Sequence, residues 1–146
     1  MEEITCFERS VSALFCDDVR HEVGGKLSLI GVYQHVALVP TFPARQGKLA
    51  VFVTCHSPKS KPFKRLTIKI YRGDNVHSEA TFDPPQEAWN PPGMLVTVAN
   101  VFVMEQLLIE SETTFRIRAI FDDEEVLSSP ALTFKAPHLP THLSPQ

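Results

Sequence analysis

The stretch Phe15-Cys16-Asp17-Asp18-Val19-Arg20-His21-Glu22-Val23-Gly24-Gly25-Lys26-Leu27-Ser28-Leu29-Ile30-Gly31-Val32-Tyr33 decides the fold class. Two β-prone runs flank Gly24-Gly25, the pair best able to supply the positive φ angles of a two-residue hairpin turn. With those glycines as the loop, Val23 is expected to face Lys26, His21 to face Ser28, Val19 to face Ile30 and Asp18 to face Gly31. A one-residue slip would exchange the buried face for the exposed one, so the turn governs what the hairpin buries. Gly31, inside the returning strand, predicts a bulge or the close approach of another group.

Working outward, Val11, Ala13 and Phe15 fall on one face and Leu14 and Cys16 on the other, which predicts a strand covered on both sides. After Tyr33, Pro40 and Pro43 remove ladder donors, predicting an edge strand and then a crossing to a second sheet. Residues 48–56 alternate, with Leu49, Val51, Val53 and Cys55 on one face. In residues 65–72 (RLTIKIYR), Leu66, Ile68 and Ile70 point inward, and Gly73-Asp74-Asn75 turns the chain into a second hairpin with VHSEATF, residues 76–82. Residues 94–104 (MLVTVANVFVM) are apolar on both faces, like a strand in the middle of a sheet. A turn or single helical turn is expected within residues 105–112. Phe115, Ile117, Ala119 and Phe121 alternate inward, residues 122–125 form a charged tip, and Pro130 sets the last strand at an edge or interrupts it. The loop DPPQEAWNPPG, residues 83–93, holds four prolines and the only tryptophan, a composition that excludes a helix or an interior strand.

Seven to nine short strands, punctuated by turn residues and without helical periodicity, predict an all-β, antiparallel β-sandwich of immunoglobulin-like or related Greek-key type rather than a closed barrel. The expected organisation is a lead-in over residues 1–9, one domain over 10–136 and a Pro-rich tail over 137–146. A length of 146 residues suits a single core, and 43% hydrophobic with 21% charged residues is ordinary globular composition. The net charge of −3 lacks the basic surface of a nucleic-acid binder. No apolar run approaches the length of a membrane helix, and the acidic start lacks the pattern of a signal peptide. Three widely spaced cysteines, Cys6, Cys16 and Cys55, argue against a disulfide framework, so a reduced, cytoplasmic protein is expected.

The run CDDVRHEVGGKLSLIGVY resembles the opening hairpin of a family of small bacterial proteins without an assigned function. Its pattern is a D-x-V start followed by a GKLSLIGVY-like return, matched here by Asp18, Val19, Arg20 and Gly25 through Tyr33. The segment TFRIRAIFDDEEVLSSPALTFK is similar to the same family's terminal hairpin, so the resemblance covers most of residues 10–136. It implies a β-sandwich from a bacterial or phage source and nothing finer, since that family has no established catalytic residue.

Each chemistry-bearing residue also has an ordinary structural role open to it. Asp17 and Asp18, adjacent in a strand, point to opposite faces and cannot act as a pair on one substrate. Asp18, Arg20 and Glu22 share a face, the usual pattern of a solvated ion-pair ladder. A calcium site would need several oxygens from neighbouring loops, for which Asp17, Asp18, Asp122, Asp123, Glu124 and Glu125 are the candidates, joined by Asp74 and Asp83 if their loops lie at the same end. An exposed hairpin tip accounts for Asp122 and Asp123 equally well. Cys55 and His56 point oppositely, and Cys16 and Cys55 lie in apolar strands where a thiol is inert. No cofactor is expected. The remaining signal is for binding: Trp89, with Asn90 and Pro91, reads as a partner anchor or as a lid over one end of the sandwich. The basic loop of Lys59, Lys61, Lys64 and Arg65 reads mainly as solubilising. The expectation is a non-enzymatic module that binds a protein or self-associates, with a homodimer through an edge strand as one route. The alternatives are a calcium-dependent or hydrolytic enzyme built on loops, and a carbohydrate-binding module.

Overall fold

The computed structural model describes residues 8–89 and 93–137 of the chain. Ten strands follow one another: β1 (Ser10–Glu22), β2 (Lys26–Val32), β3 (Val36–Leu38), β4 (Ala44–Pro58), β5 (Leu66–Arg72), β6 (Asn75–Phe82), β7 (Leu95–Ile109), β8 (Thr113–Phe121), β9 (Glu125–Ser128) and β10 (Leu132–Lys135). They form two sheets, one ordered β2-β1-β4-β7 and the other β3-β10-β8-β5-β6, with β9 also paired to β8. Every pairing is antiparallel except β3 with β10. The predicted all-β sandwich is therefore the fold, with ten strands where seven to nine were expected.

Alternation explains the core. Leu49, Val51, Val53 and Cys55 of β4, Leu66, Ile68 and Ile70 of β5, and Phe115, Ile117, Ala119 and Phe121 of β8 are all buried in one hydrophobic cluster. Each fully buried aliphatic or aromatic side chain contributes about 1.5–3 kcal/mol relative to an exposed one. The β5–β6 hairpin forms as the glycine turn predicts, and β3 is an edge strand that precedes the crossing to β4.

Several expectations are corrected. The first hairpin pairs Glu22 with Lys26, His21 with Leu27, Arg20 with Ser28 and Asp18 with Ile30. The turn thus holds three residues, Val23-Gly24-Gly25, and the predicted two-residue loop is wrong by one register step. Both glycines still adopt positive φ, 88° and 72°. Of the turn or helical turn expected within residues 105–112, the turn is present but confined to 110–112, because β7 continues to Ile109 before β8 begins at Thr113. Pro130 separates β9 from β10, so the last run is two strands. Residues 83–89, expected to exclude helix, contain one 3-10 turn, Gln86–Trp89. It closes where Ala88 N–H donates to the Pro85 carbonyl at 2.9 Å, and proline is tolerated there because its missing N–H is not needed at a helix start.

The largest correction concerns β7. Its apolar character on both faces predicts a central strand, yet it lies at the end of its sheet, paired with β4 alone among the described residues.

Candidate functional site: the free edge of the four-stranded sheet

The β4–β7 ladder keeps one register from Ala44–Ile109 to Pro58–Leu95. At its end Lys59 N–H donates to the Met94 carbonyl at 3.1 Å, which makes that pair a hydrogen-bonded one. Antiparallel ladders alternate, so Val96, Val98, Asn100 and Phe102 direct their backbone groups at β4. Leu95, Thr97, Ala99, Val101 and Val103 then direct their N–H and C=O groups away from it, along an edge that no other strand among the described residues pairs. The same five residues place their side chains on the outer face of the sheet, opposite the core-facing Val98 and Phe102. No charged residue occurs from Leu95 to Met104.

The outer face beside this edge is apolar. Leu14 stands opposite Phe52, and Phe52 opposite Val101. Cys16 stands opposite Ala50, and Ala50 opposite Val103. Leu14 and Val103 are 47% and 49% exposed, whereas Cys16 and Ala50 are fully buried outside the main core cluster. The cover over Cys16 comes from the first hairpin. The β1–β2 ladder is interrupted where Asp17 and Gly31 face each other, and Gly31 has φ +67°. A Cβ on Gly31 would overlap the Asp17 carboxylate, its Cγ at 2.9 Å. The expected close approach at Gly31 is therefore real, and its partner is Asp17 rather than Asp18. Beyond this bend His21 and Leu27 border, with Phe52, Ala99, Asn100 and Val101, a concavity of about 270 Å3 on the outer face. The hairpin arm thus reaches over the sheet, and Cys16 is sealed beneath its root. The expectation that both faces of β1 are covered holds for Cys16 and fails for Leu14.

The structure separates the proposed calcium ligands. Asp17 accepts a hydrogen bond from the Tyr33 hydroxyl at 2.6 Å. Asp18 is paired with Lys48 at 2.6 Å, and that ammonium, with the Val19 N–H and Arg20, holds its carboxyl below the usual range. Asp122 accepts the backbone N–H groups of Lys64 and Arg65, beyond the other end of β4. Asp122 and Asp123 both have positive φ, so they make the turn itself. Among the described residues no three His, Cys, Asp or Glu side chains converge. Burial pushes the Cys55 thiol up to about 12 and also raises that of Cys16, against the N–H groups of Asp18 and Ile30 that bond its sulfur. Such thiols are poor nucleophiles at neutral pH.

Trp89 is half-buried and sits edge-on against Phe63, ring centroids 5.1 Å apart, and Phe63 stacks in the same way on Phe121. It is a lid over this end of the sandwich. With Phe63, Pro62 and Pro84 it also walls a concavity of about 670 Å3 rimmed by Asp122 and Glu124. Asn90 and Pro91 lie outside the described residues. Two cations of the basic loop are held in surface ion pairs: Lys61 pairs with Glu125 at 2.9 Å and Arg65 with Asp83 at 3.0 Å.

Sequence reasoning missed Arg9. Its side chain is 6% exposed and bonds Ser57 Oγ, Glu125 Oε2 and the carbonyls of Lys61 and Pro62. Its guanidinium also lies over the Phe121 ring at 4.6 Å. No local pattern could have found it, because every partner is distant in sequence.

A comparison with family models matches residues 11–132 to a family described as "Family of unknown function (DUF6941)", and the chain belongs to that family. No curated protein matches the chain. Among the described residues no helix is long and apolar enough to cross a membrane.

Proposed function

We propose that this member of a family of unknown function is a non-enzymatic binding module that holds another polypeptide along the free edge of β7 and the adjoining outer face. One observation carries the reading: a 15-residue edge strand whose outward-facing residues from Leu95 to Val103 are all uncharged. Folded proteins blunt open edges with charge, proline, bulges or very short strands, because unpaired N–H and C=O groups template further pairing. The other edges follow that rule. β3 has three residues, β2 is bent at Gly31, and β6 carries His77 and Glu79 with a register shift in its pairing to β5. β7 departs from it, and its irregularity at Gln106, φ 52°, lies beyond the apolar segment. An added strand would satisfy the edge amides and cover Val103 in one step.

The inert surroundings of both thiols, the ion pair of Asp18 with Lys48 and the backbone hydrogen bonds that occupy Asp122 support a binding role over a hydrolytic one. A reducing cytoplasm suits two buried free cysteines, and the hairpin resemblance adds a bacterial source.

The test compares wild-type protein with Ala99→Pro as bait in native extract. Proline at position 99 removes an outward N–H and leaves the β4 ladder intact. A partner held by the wild type and lost by the variant supports the reading. Equal capture by both removes the β7 edge from it.

A further inference from the structure

We infer that the strand seated on the β7 edge is β7 of a second copy of this chain, paired antiparallel across a two-fold axis at Val101. The inference rests on the binding reading above and names its partner. A two-fold pairing demands that the edge be complementary to itself, so each outward residue must tolerate its mirror mate. With Val101 opposite Val101 of the second copy, Ala99 faces Val103 and Thr97 faces Glu105. No two like charges meet, although like charges directly opposite would oppose pairing. Glu105, the first charge in β7, falls opposite a threonine at the rim.

Backbone geometry agrees with this centre. Val101 belongs to the outward-directed set, so the self-opposed pair exchanges both N–H···O bonds, as a hydrogen-bonded antiparallel pair requires. The two four-stranded sheets then become one continuous sheet of eight strands. Their apolar outer faces join across Ala99, Val101 and Val103, next to the concavity that His21 and Leu27 border. A second copy presents this same neutral edge by symmetry, and it is at hand wherever the chain itself is.

The experiment measures mass in solution and register together. Sedimentation of the wild type from 1 to 100 µM, about the range where modest interfaces assemble, is expected to give about twice the 16.4 kDa chain mass. Ala99→Pro and Val103→Lys should each restore the monomer with the folded circular dichroism spectrum kept. Val103→Ala controls for lost packing and should retain the dimer. Leu14→Lys, exposed on the same face but two strands from the edge, should leave the dimer intact. In a Cys6→Ser background, Val101→Cys should oxidise to a covalent dimer, since a hydrogen-bonded pair spans about 5.5 Å between Cα atoms, within disulfide reach.

A wild type that stays monomeric throughout overturns the inference. So does a dimer broken by Leu14→Lys and kept by Ala99→Pro, which would mean face-to-face stacking. A monomer that still captures a partner in an Ala99-dependent way overturns the second copy alone and leaves the binding reading standing. A monomer without such capture removes both.

Discussion

The Asp17 carboxylate occupies the space that a side chain on Gly31 would need, from the opposite strand of the first hairpin. Glycine is required there twice over, by that overlap and by a φ of +67°. The bend that results carries the arm over Cys16 and leaves Tyr33 to donate its hydroxyl to Asp17.

Gly31→Ala is expected to destabilise the fold by more than about 2 kcal/mol, combining about 1–2 kcal/mol of left-handed backbone cost with loss of the Tyr33 bond. Urea denaturation measures it. In an Asp17→Ala background the same change should cost clearly less, because the overlap is gone. An unchanged cost there would show that backbone conformation alone accounts for the glycine.

Arg9→Ala should cost about 2–4 kcal/mol, since it strands Glu125, Ser57 and two carbonyls at once. The one-third exposure of Glu125 keeps the loss below that of a fully buried pair. Arg9→Lys should recover less than half of it, because an ammonium lacks the planar fork that reaches these partners together. Full recovery by lysine would reduce Arg9 to a simple charge.

Stability should fall on the acid side. Lys61 first, and then Arg9, hold the Glu125 carboxyl below its ordinary range, and Arg65 does the same for Asp83. A depressed folded-state value means that the unfolded chain binds protons first, so unfolding free energy rises with pH through that window. The contribution is whole above the usual carboxylate range and is lost as pH drops through the folded-state values. Glu125→Gln should flatten the acid limb of a melting-temperature profile between pH 6 and 2, a range about the carboxylate values. A variant profile parallel to wild type would remove Glu125 from the account.

Trp89→Ala is expected to lower stability by about 2 kcal/mol, at the low end for an aromatic truncation because the ring is half-buried. Phe63 would lose its edge-on neighbour, and fluorescence-independent calorimetry reads the change. If stability is untouched while association weakens, Trp89 is a partner anchor and the lid role is secondary.

Thiol reactivity reports the burial of Cys16 and Cys55. In a Cys6→Ser background, Cys16 and Cys55 should resist a disulfide reagent in native buffer and react at once in denaturant. Fast native labelling of either would show that the arm or the sandwich opens readily.

The sequence by itself determined the strands and the layered fold. Alternation in residues 48–56, 65–72 and 115–121 reports directly which side chains enter an apolar interior, because strand periodicity is local. Glycine chemistry was equally legible: Gly24, Gly25 and Gly31 all adopt positive φ, and Gly31 marks a close approach. What the tertiary structure alone decided is who stands beside whom. The two glycines allow a two- or a three-residue turn, and only packing of the arm selects the pairing of Glu22 with Lys26. β7 reads as a central strand because both of its faces are apolar, yet sheet neighbours are joined by backbone groups common to every residue, so side-chain pattern carries no address for an edge. Arg9 meets Glu125 across 116 residues, a contact no local periodicity encodes. Local rules thus fix which way a side chain points, and only the assembled sheets fix which backbone edge is left open.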